Sequence, residues 1–159
     1  MHFENCRAKG FTVIQAVALA ELDGLNAPNR YGVKPMIDNN PYTPNEKYFE
    51  YMDWVIKKAA EKGLFIGLLP TWGNKVDKAW GTGLVIFNKD NAYKYGQWFA
   101  NRYKNNTNIF WIDGGDRNPD STINRHLGNQ KSCCTIPGFI RRNRSNVSNS
   151  WTDKWIDHH

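Results

Sequence analysis

Three short, nearly continuous apolar runs punctuate the chain, and the segments before and between them read as helices. The first run, Phe11, Thr12, Val13, Ile14, Gln15, Ala16 and Val17, contains β-branched residues and follows Gly10. A run of this kind is how a parallel strand covered on both faces reads. Residues 1–9 read as the end of a helix, with Lys9 near its C-terminus and Gly10 at the left-handed stop. The second run, Leu64 to Leu69, closes at Pro70, and the third, Ile109 to Ile112, breaks at Gly114 and Gly115. Tyr48, Phe49, Met52, Val55, Ile56, Ala59 and Ala60 recur at three- and four-residue spacing, which predicts a helix with one apolar face, stopped by Gly63. Its start is predicted as a capping box, with Thr43 as N-cap, Pro44 as first helical residue and Glu46 three residues after the cap. A further helix is predicted from near Asn88 to about Lys104, with Ala92, Tyr95, Phe99 and Tyr103 on one face.

The order helix, strand, helix, strand, helix, strand predicts an α/β fold with parallel strands and right-handed crossovers. Every strand then ends on the same edge of the sheet. The long segments Ala20 to Pro44 and Thr71 to Phe87 follow strands, whereas the returns at Gly10, Gly63 and Asn105 to Asn108 are tight. That asymmetry is typical of α/β barrels, which build their sites at strand C-termini, and it also occurs in open doubly wound sheets. Candidate chemistry is therefore sought at the strand ends.

Composition narrows the picture. The chain has 159 residues, 40% of them hydrophobic, with 7 Trp, 7 Tyr and 8 Phe, enough bulky apolar surface to exclude a disordered chain. Three cysteines, two of them the neighbours Cys133 and Cys134, exclude a disulfide scaffold. No apolar run approaches the ~20 residues of a membrane span, so no membrane partner is expected. Arg7, Lys9 and Phe11 to Ala20 imitate a signal peptide, but Glu4 and Gln15 interrupt it and the strand reading is better. Residues 1–116 carry 14 Lys and Arg against 12 Asp and Glu, and residues 117–159 carry 7 against 3, so the basic charge belongs mostly to the tail. The Arg141, Arg142 and Arg144 cluster comes without a groove-reading helix, so a solvated tail is favoured over a nucleic-acid arm.

The first strand delivers Glu21 and Asp23, the second Thr71 and Trp72, and the third Asp113, Asp116 and Arg117. Carboxylates and tryptophans on one rim point to carbohydrate chemistry, because sugars stack on indole faces and acetal cleavage uses a pair of carboxyl groups. Plain structural roles compete with that reading: Asp116 as a turn residue, Glu21 and Asp23 as loop caps, Trp72 and Trp80 as packing. His126, His158 and His159 are scattered, so no metal site is expected, and Gly114-Gly115 lacks a dinucleotide-binding pattern. No cofactor is expected.

Gly114-Gly115-Asp116-Arg117-Asn118-Pro119, preceded by Asn108-Ile109-Phe110-Trp111-Ile112, resembles the apiosidase-like catalytic domain of glycoside hydrolases, glycoside hydrolase family 140, which includes endoglucanase-type proteins. Gly10 to Gln15 with Ala20 to Asn26, and Gly67 to Gly73, agree with it. The resemblance covers roughly residues 4–119. It implies a (β/α)8 TIM barrel, hydrolysis of glycosidic bonds, bacterial periplasmic or secreted proteins, and pectin side chains containing apiose as substrate. It places the acid/base on Asp116, and makes Glu21, Asp23, Asn26, Trp72, Trp80 and Arg117 substrate-side candidates. Asp113 departs from the apolar residue usual in the family.

The resemblance also implies a strand before residue 1 and four strands after residue 119, including a glutamate nucleophile, so the chain reads as a partial barrel with strands two to four. Residues 1–119 form that part, and 120–159 an irregular basic tail without sustained periodicity, as a frame change or truncated gene model near residue 120 produces. A partial barrel leaves strand edges unpaired, so aggregation and little activity are expected of the isolated chain. The competing function is a carbohydrate-binding or interaction module without turnover.

Overall fold

The computed structural model describes residues 2–76 and 83–112. Helix α1 (His2–Ala8) leads into β1 (Val13–Val17), α2 (Glu46–Glu61) into β2 (Phe65–Leu69), and α3 (Lys89–Tyr103) into β3 (Ile109–Trp111). Single 3-10 turns lie at Ile37–Asn39 and Gly73–Lys75. All three strands are parallel and the sheet order is β1-β2-β3. The register aligns Val13 with Phe65, Val17 with Leu69, and Leu68 with Trp111, so the three strand C-termini share one edge. The predicted α/β alternation is thus present, each strand being a residue or two shorter than its apolar run.

The central strand explains its own composition. Ile66, Gly67, Leu68 and Leu69 of β2 are all buried, which requires the continuous apolar run read in the sequence. Gly67 has a further reason: a Cβ there would lie 2.8 Å from Ile112 Cδ1, so any larger residue would have to displace that side chain. Between sheet and helices, Phe49, Ile56 and Ala59 of α2 meet Ala92, Tyr95, Phe99 and Tyr103 of α3 in the core. Phe49 packs edge-on to Trp98 at 4.7 Å, and Phe99 likewise to Tyr103 at 4.9 Å and to Trp111 at 5.8 Å. Ala60, placed on the apolar face of α2 by its spacing, is exposed instead.

The start of α2 departs from the sequence rule. The Thr43 hydroxyl donates to Ile37 O at 3.1 Å and Asn40 O at 3.2 Å, closing the loop before the helix. Met36 and Pro44 form an antiparallel bridge, and Asn45 N donates to Pro35 O at 2.9 Å. These contacts keep Thr43 and Pro44 out of the helix, so the first helical residue is Glu46 and its N-cap Asn45 makes no side-chain capping bond. The reciprocal cap occurs at α3: Asn88 Oδ1 accepts from Asp90 N at 3.0 Å and Asn91 N at 2.9 Å, while Asn91 Oδ1 accepts from Asn88 N at 2.8 Å. Asn serves both ends of that motif in place of the usual Ser/Thr and Glu pair.

Glu46, released from capping, pairs with Arg102. The guanidinium donates to both Asp53 oxygens at 3.0 and 2.8 Å and to Glu46 Oε2 at 2.6 Å, and lies 5.5 Å from the Trp98 ring centroid. One side chain of α3 thereby holds two carboxylates of α2. Arg102 is 17% exposed, and hydrogen bonds to charged groups contribute about 1.5–3 kcal/mol. Arg102→Ala is expected to destabilise the fold by about 2 kcal/mol, measured by denaturant midpoint. Arg102→Lys recovers less than half, since an ammonium cannot bridge a carboxylate as a planar fork does.

Candidate active site

Parallel pairing gathers the segments after β1 and β2 on one rim, and backbone bonds extend the pairing beyond the strands. Ala18 N donates to Leu69 O at 2.9 Å and Trp72 N donates to Leu19 O at 3.0 Å. A tyrosine from each flanking helix braces this rim: Tyr48 OH donates to Ala18 O at 3.0 Å, and Tyr95 OH to Pro70 O at 3.1 Å. Burial raises the pKa of both phenols, so they act here as neutral donors. Sequence periodicity placed both on apolar faces and carried no sign of the hydroxyl contacts.

Lys75 lies at the end of the 3-10 turn after β2 and is fully buried. Its Nζ donates to Leu22 O at 3.0 Å. Burial lowers its pKa, and the carboxylates of Asp23 and Glu21, in that order, oppose the shift. Leu22 takes φ of +52°, a left-handed conformation costly for a residue with a Cβ. The bond to Lys75 holds that turn closed from below. Gly83 closes it from the side: a Cβ there would fall 2.8 Å from Leu22 O and 3.6 Å from Lys75 Nζ. No local pattern marks Lys75 in the sequence, and it is not among the residues expected at the rim from sequence.

The sequence-predicted residues divide into two groups. Glu21 and Asp23 are exposed on the turn that Lys75 supports. Asp23 Oδ1 accepts from Asn26 Nδ2 at 2.8 Å, and Asn26 Oδ1 accepts from Asn39 Nδ2 at 3.3 Å, so Asn26 spends its amide on tying the long loop together. Trp72 is half-buried at the start of the 3-10 turn, beside the backbone of the β1 segment. These four are brought together on one rim. Asp113, Asp116, Arg117 and Trp80 lie outside the described residues, as does the boundary expected near residue 119. Among the described residues no group of three His, Cys, Asp or Glu could hold a metal ion, and no helix is long and apolar enough to cross a membrane.

The family model described as "Apiosidase-like, catalytic domain" matches residues 1–157. The chain belongs to the apiosidase-like catalytic domain family. The match runs through the tail, beyond residue 119 where the motif resemblance stops. Among solved structures, this apiosidase-like chain is similar to one titled "Glycoside hydrolase", with 33% identity, a TM-score of 0.66, and coverage of 80% of this chain and 28% of that one. It is similar also to a glycoside hydrolase family 5 protein from Bacteroides vulgatus ATCC 8482, with 29% identity, a TM-score of 0.66 and coverage of 80% and 28%. The apiosidase-like chain thus spans 28% of the length of the structures it matches. No curated protein matches it.

Proposed function

We propose that this chain supplies part of the substrate-binding rim and the acid/base of a glycoside hydrolase that cleaves O-glycosidic bonds in side chains of plant cell-wall polysaccharides. Asp116, in the segment after β3, is the acid/base. Glu21, Asp23, Asn26, Trp72, Trp80 and Arg117 are the substrate-side residues, and the parallel sheet is strands two to four of a (β/α)8 barrel. The observation that carries this reading is the rim itself: an indole and two exposed carboxylates, braced by Tyr48, Tyr95 and Lys75, stand at the C-terminal ends of parallel strands in a chain of the apiosidase-like family. Sugars use both features, the indole for the C–H face of the ring and the carboxylates for its hydroxyls.

The test is hydrolysis. The protein, continued to the length of the structures it matches, is incubated with an apiose-bearing pectic fragment and with aryl glycosides, and released sugars are separated. Release of a sugar from at least one is the expected result. Binding without release from any would assign the rim to recognition alone.

A further inference from the structure

We propose a second glycan-binding surface on the solvent face of α2, formed by Tyr31, Tyr51 and Trp54 with Arg30 at its margin, which takes a uronate-bearing polysaccharide chain. The inference rests on the polysaccharide-directed reading above and adds a site apart from the strand-end rim. Phe49, Ile56 and Ala59 carry the core-facing side of α2. Tyr51 and Trp54 stand about half a helical turn away from them, where a helix of this amphipathic pattern carries polar residues. Trp54 is nonetheless 47% exposed and Tyr31 64% exposed. The rings are ordered against one another: Tyr51 and Trp54 are near-parallel at 5.8 Å and 12°, and Tyr31 meets Tyr51 edge-on at 5.3 Å and 75°.

The loop partner is set in place before any ligand arrives. Asn29 Oδ1 accepts from Tyr31 N at 3.0 Å and Val33 N at 3.1 Å, and Asn29 O accepts from Gly32 N at 2.9 Å. This turn fixes Tyr31 against α2 and places the Arg30 guanidinium 5.5 Å from the Tyr31 ring centroid. An exposed set of rings with fixed mutual geometry suits the flat C–H face of a pyranose, which gains contact area at little cost in conformational freedom. The charge selects the sugar. Arg30 lies against Tyr31 and the exposed Lys47 lies one turn before Tyr51 on α2, so two positive side chains accompany the rings and pair with sugar carboxylates. The exposed Glu50 lies one turn before Trp54.

The experiment is calorimetric titration of the protein continued to the length of the structures it matches, with an oligogalacturonate and with a neutral cello-oligosaccharide of equal length. Trp54→Ala is expected to weaken oligogalacturonate binding about tenfold, the loss of one aromatic contact of about 1.4 kcal/mol. Arg30→Gln is expected to bring the acidic ligand down to the affinity of the neutral one. Tyr31→Ala, on a loop and largely exposed, repeats the test should Trp54→Ala alter the circular dichroism spectrum. Trp72→Ala separates the two sites: binding that survives it but falls with Trp54→Ala belongs to α2, and binding that falls only with Trp72→Ala overturns the α2 site while leaving the rim reading intact. Wild-type affinity in Trp54→Ala, Tyr31→Ala and Arg30→Gln overturns the proposal, as does absence of binding by the wild type. Trp54-dependent binding in a protein that cleaves no glycoside would instead remove the hydrolase reading of the rim.

Discussion

In the protein continued to the length of the structures it matches, Asp116→Asn is expected to lower kcat/KM on an apiose-bearing glycan by about 10²–10⁴-fold, the contribution typical of a positioned proton donor and acceptor. The side chains are nearly isosteric, so rim geometry is retained while proton transfer to the leaving oxygen is lost. Cleavage by two carboxyl groups needs them ~5–5.5 Å apart for retention or ~6.5–9.5 Å for inversion, on opposite sides of the scissile bond. Glu21 and Asp23 are exposed on a turn that spends its interior contact on Lys75, a placement suited to binding sugar hydroxyls. Their conversion to the amides is therefore expected to act mainly on KM, in contrast to the loss of kcat from Asp116→Asn. Equal kcat/KM for wild type and Asp116→Asn would remove Asp116 from the mechanism. Turnover by the 159 residues themselves would place the second carboxylate within this chain.

Stability is expected to fall steeply above pH 10. Tyr95 and Tyr103 are almost wholly buried, at 1% and 2% exposure. Burial, the largest cause for both, raises the pKa of each, with the neighbouring phenols adding to it at Tyr95 and the Asp53 carboxylate at Tyr103. Tyr48 is raised by burial as well. In the unfolded chain these phenols ionise near the ordinary value of about 10. Above it the unfolded state binds fewer protons than the folded state, so stability declines with rising pH until the folded-state values are reached. Each such group contributes a slope of about 1.4 kcal/mol per pH unit, so Tyr95 and Tyr103 together give about 2.7 kcal/mol per unit. Lys75 works in the other direction below pH 10.5: its lowered pKa makes the unfolded state the better proton binder there, so its contribution rises with pH up to the unfolded value. Denaturant midpoints measured from pH 8 to 12 are expected to be highest around pH 10 and to drop beyond it. Tyr103→Phe should halve the downward slope left by the two buried phenols, and an unchanged slope would show that other groups set it.

Much of the scaffold was legible because it depends on local rules. The three apolar runs became β1, β2 and β3, since a strand covered on both faces has no polar positions to interrupt it. Gly10 and Gly63 took φ of +82° and +67°, the left-handed values that a helix stop requires. Glu21, Asp23, Asn26 and Trp72 fell on the rim because position after a parallel strand by itself assigns a residue to that edge. The start of α2 was misread for the opposite reason: Thr43 and Pro44 carry strong helix-start signals, but the bridge from Met36 and the loop bonds of Thr43 are non-local and prevailed over them. Lys75 is the plainest case of what only the tertiary structure decided. Nothing in Gly73-Asn74-Lys75-Val76 predicts a buried ammonium; its desolvation is offset by a carbonyl from residue 22, a contact spanning 53 positions that exists only once β1 and β2 pair. The sequence by itself determined the alternation of elements and the edge on which Glu21, Asp23 and Trp72 lie, because periodicity and turn propensity act over a few residues. Which side chains brace that edge, and which rings meet on α2, depended on partners far apart in the chain that the fold alone brings together.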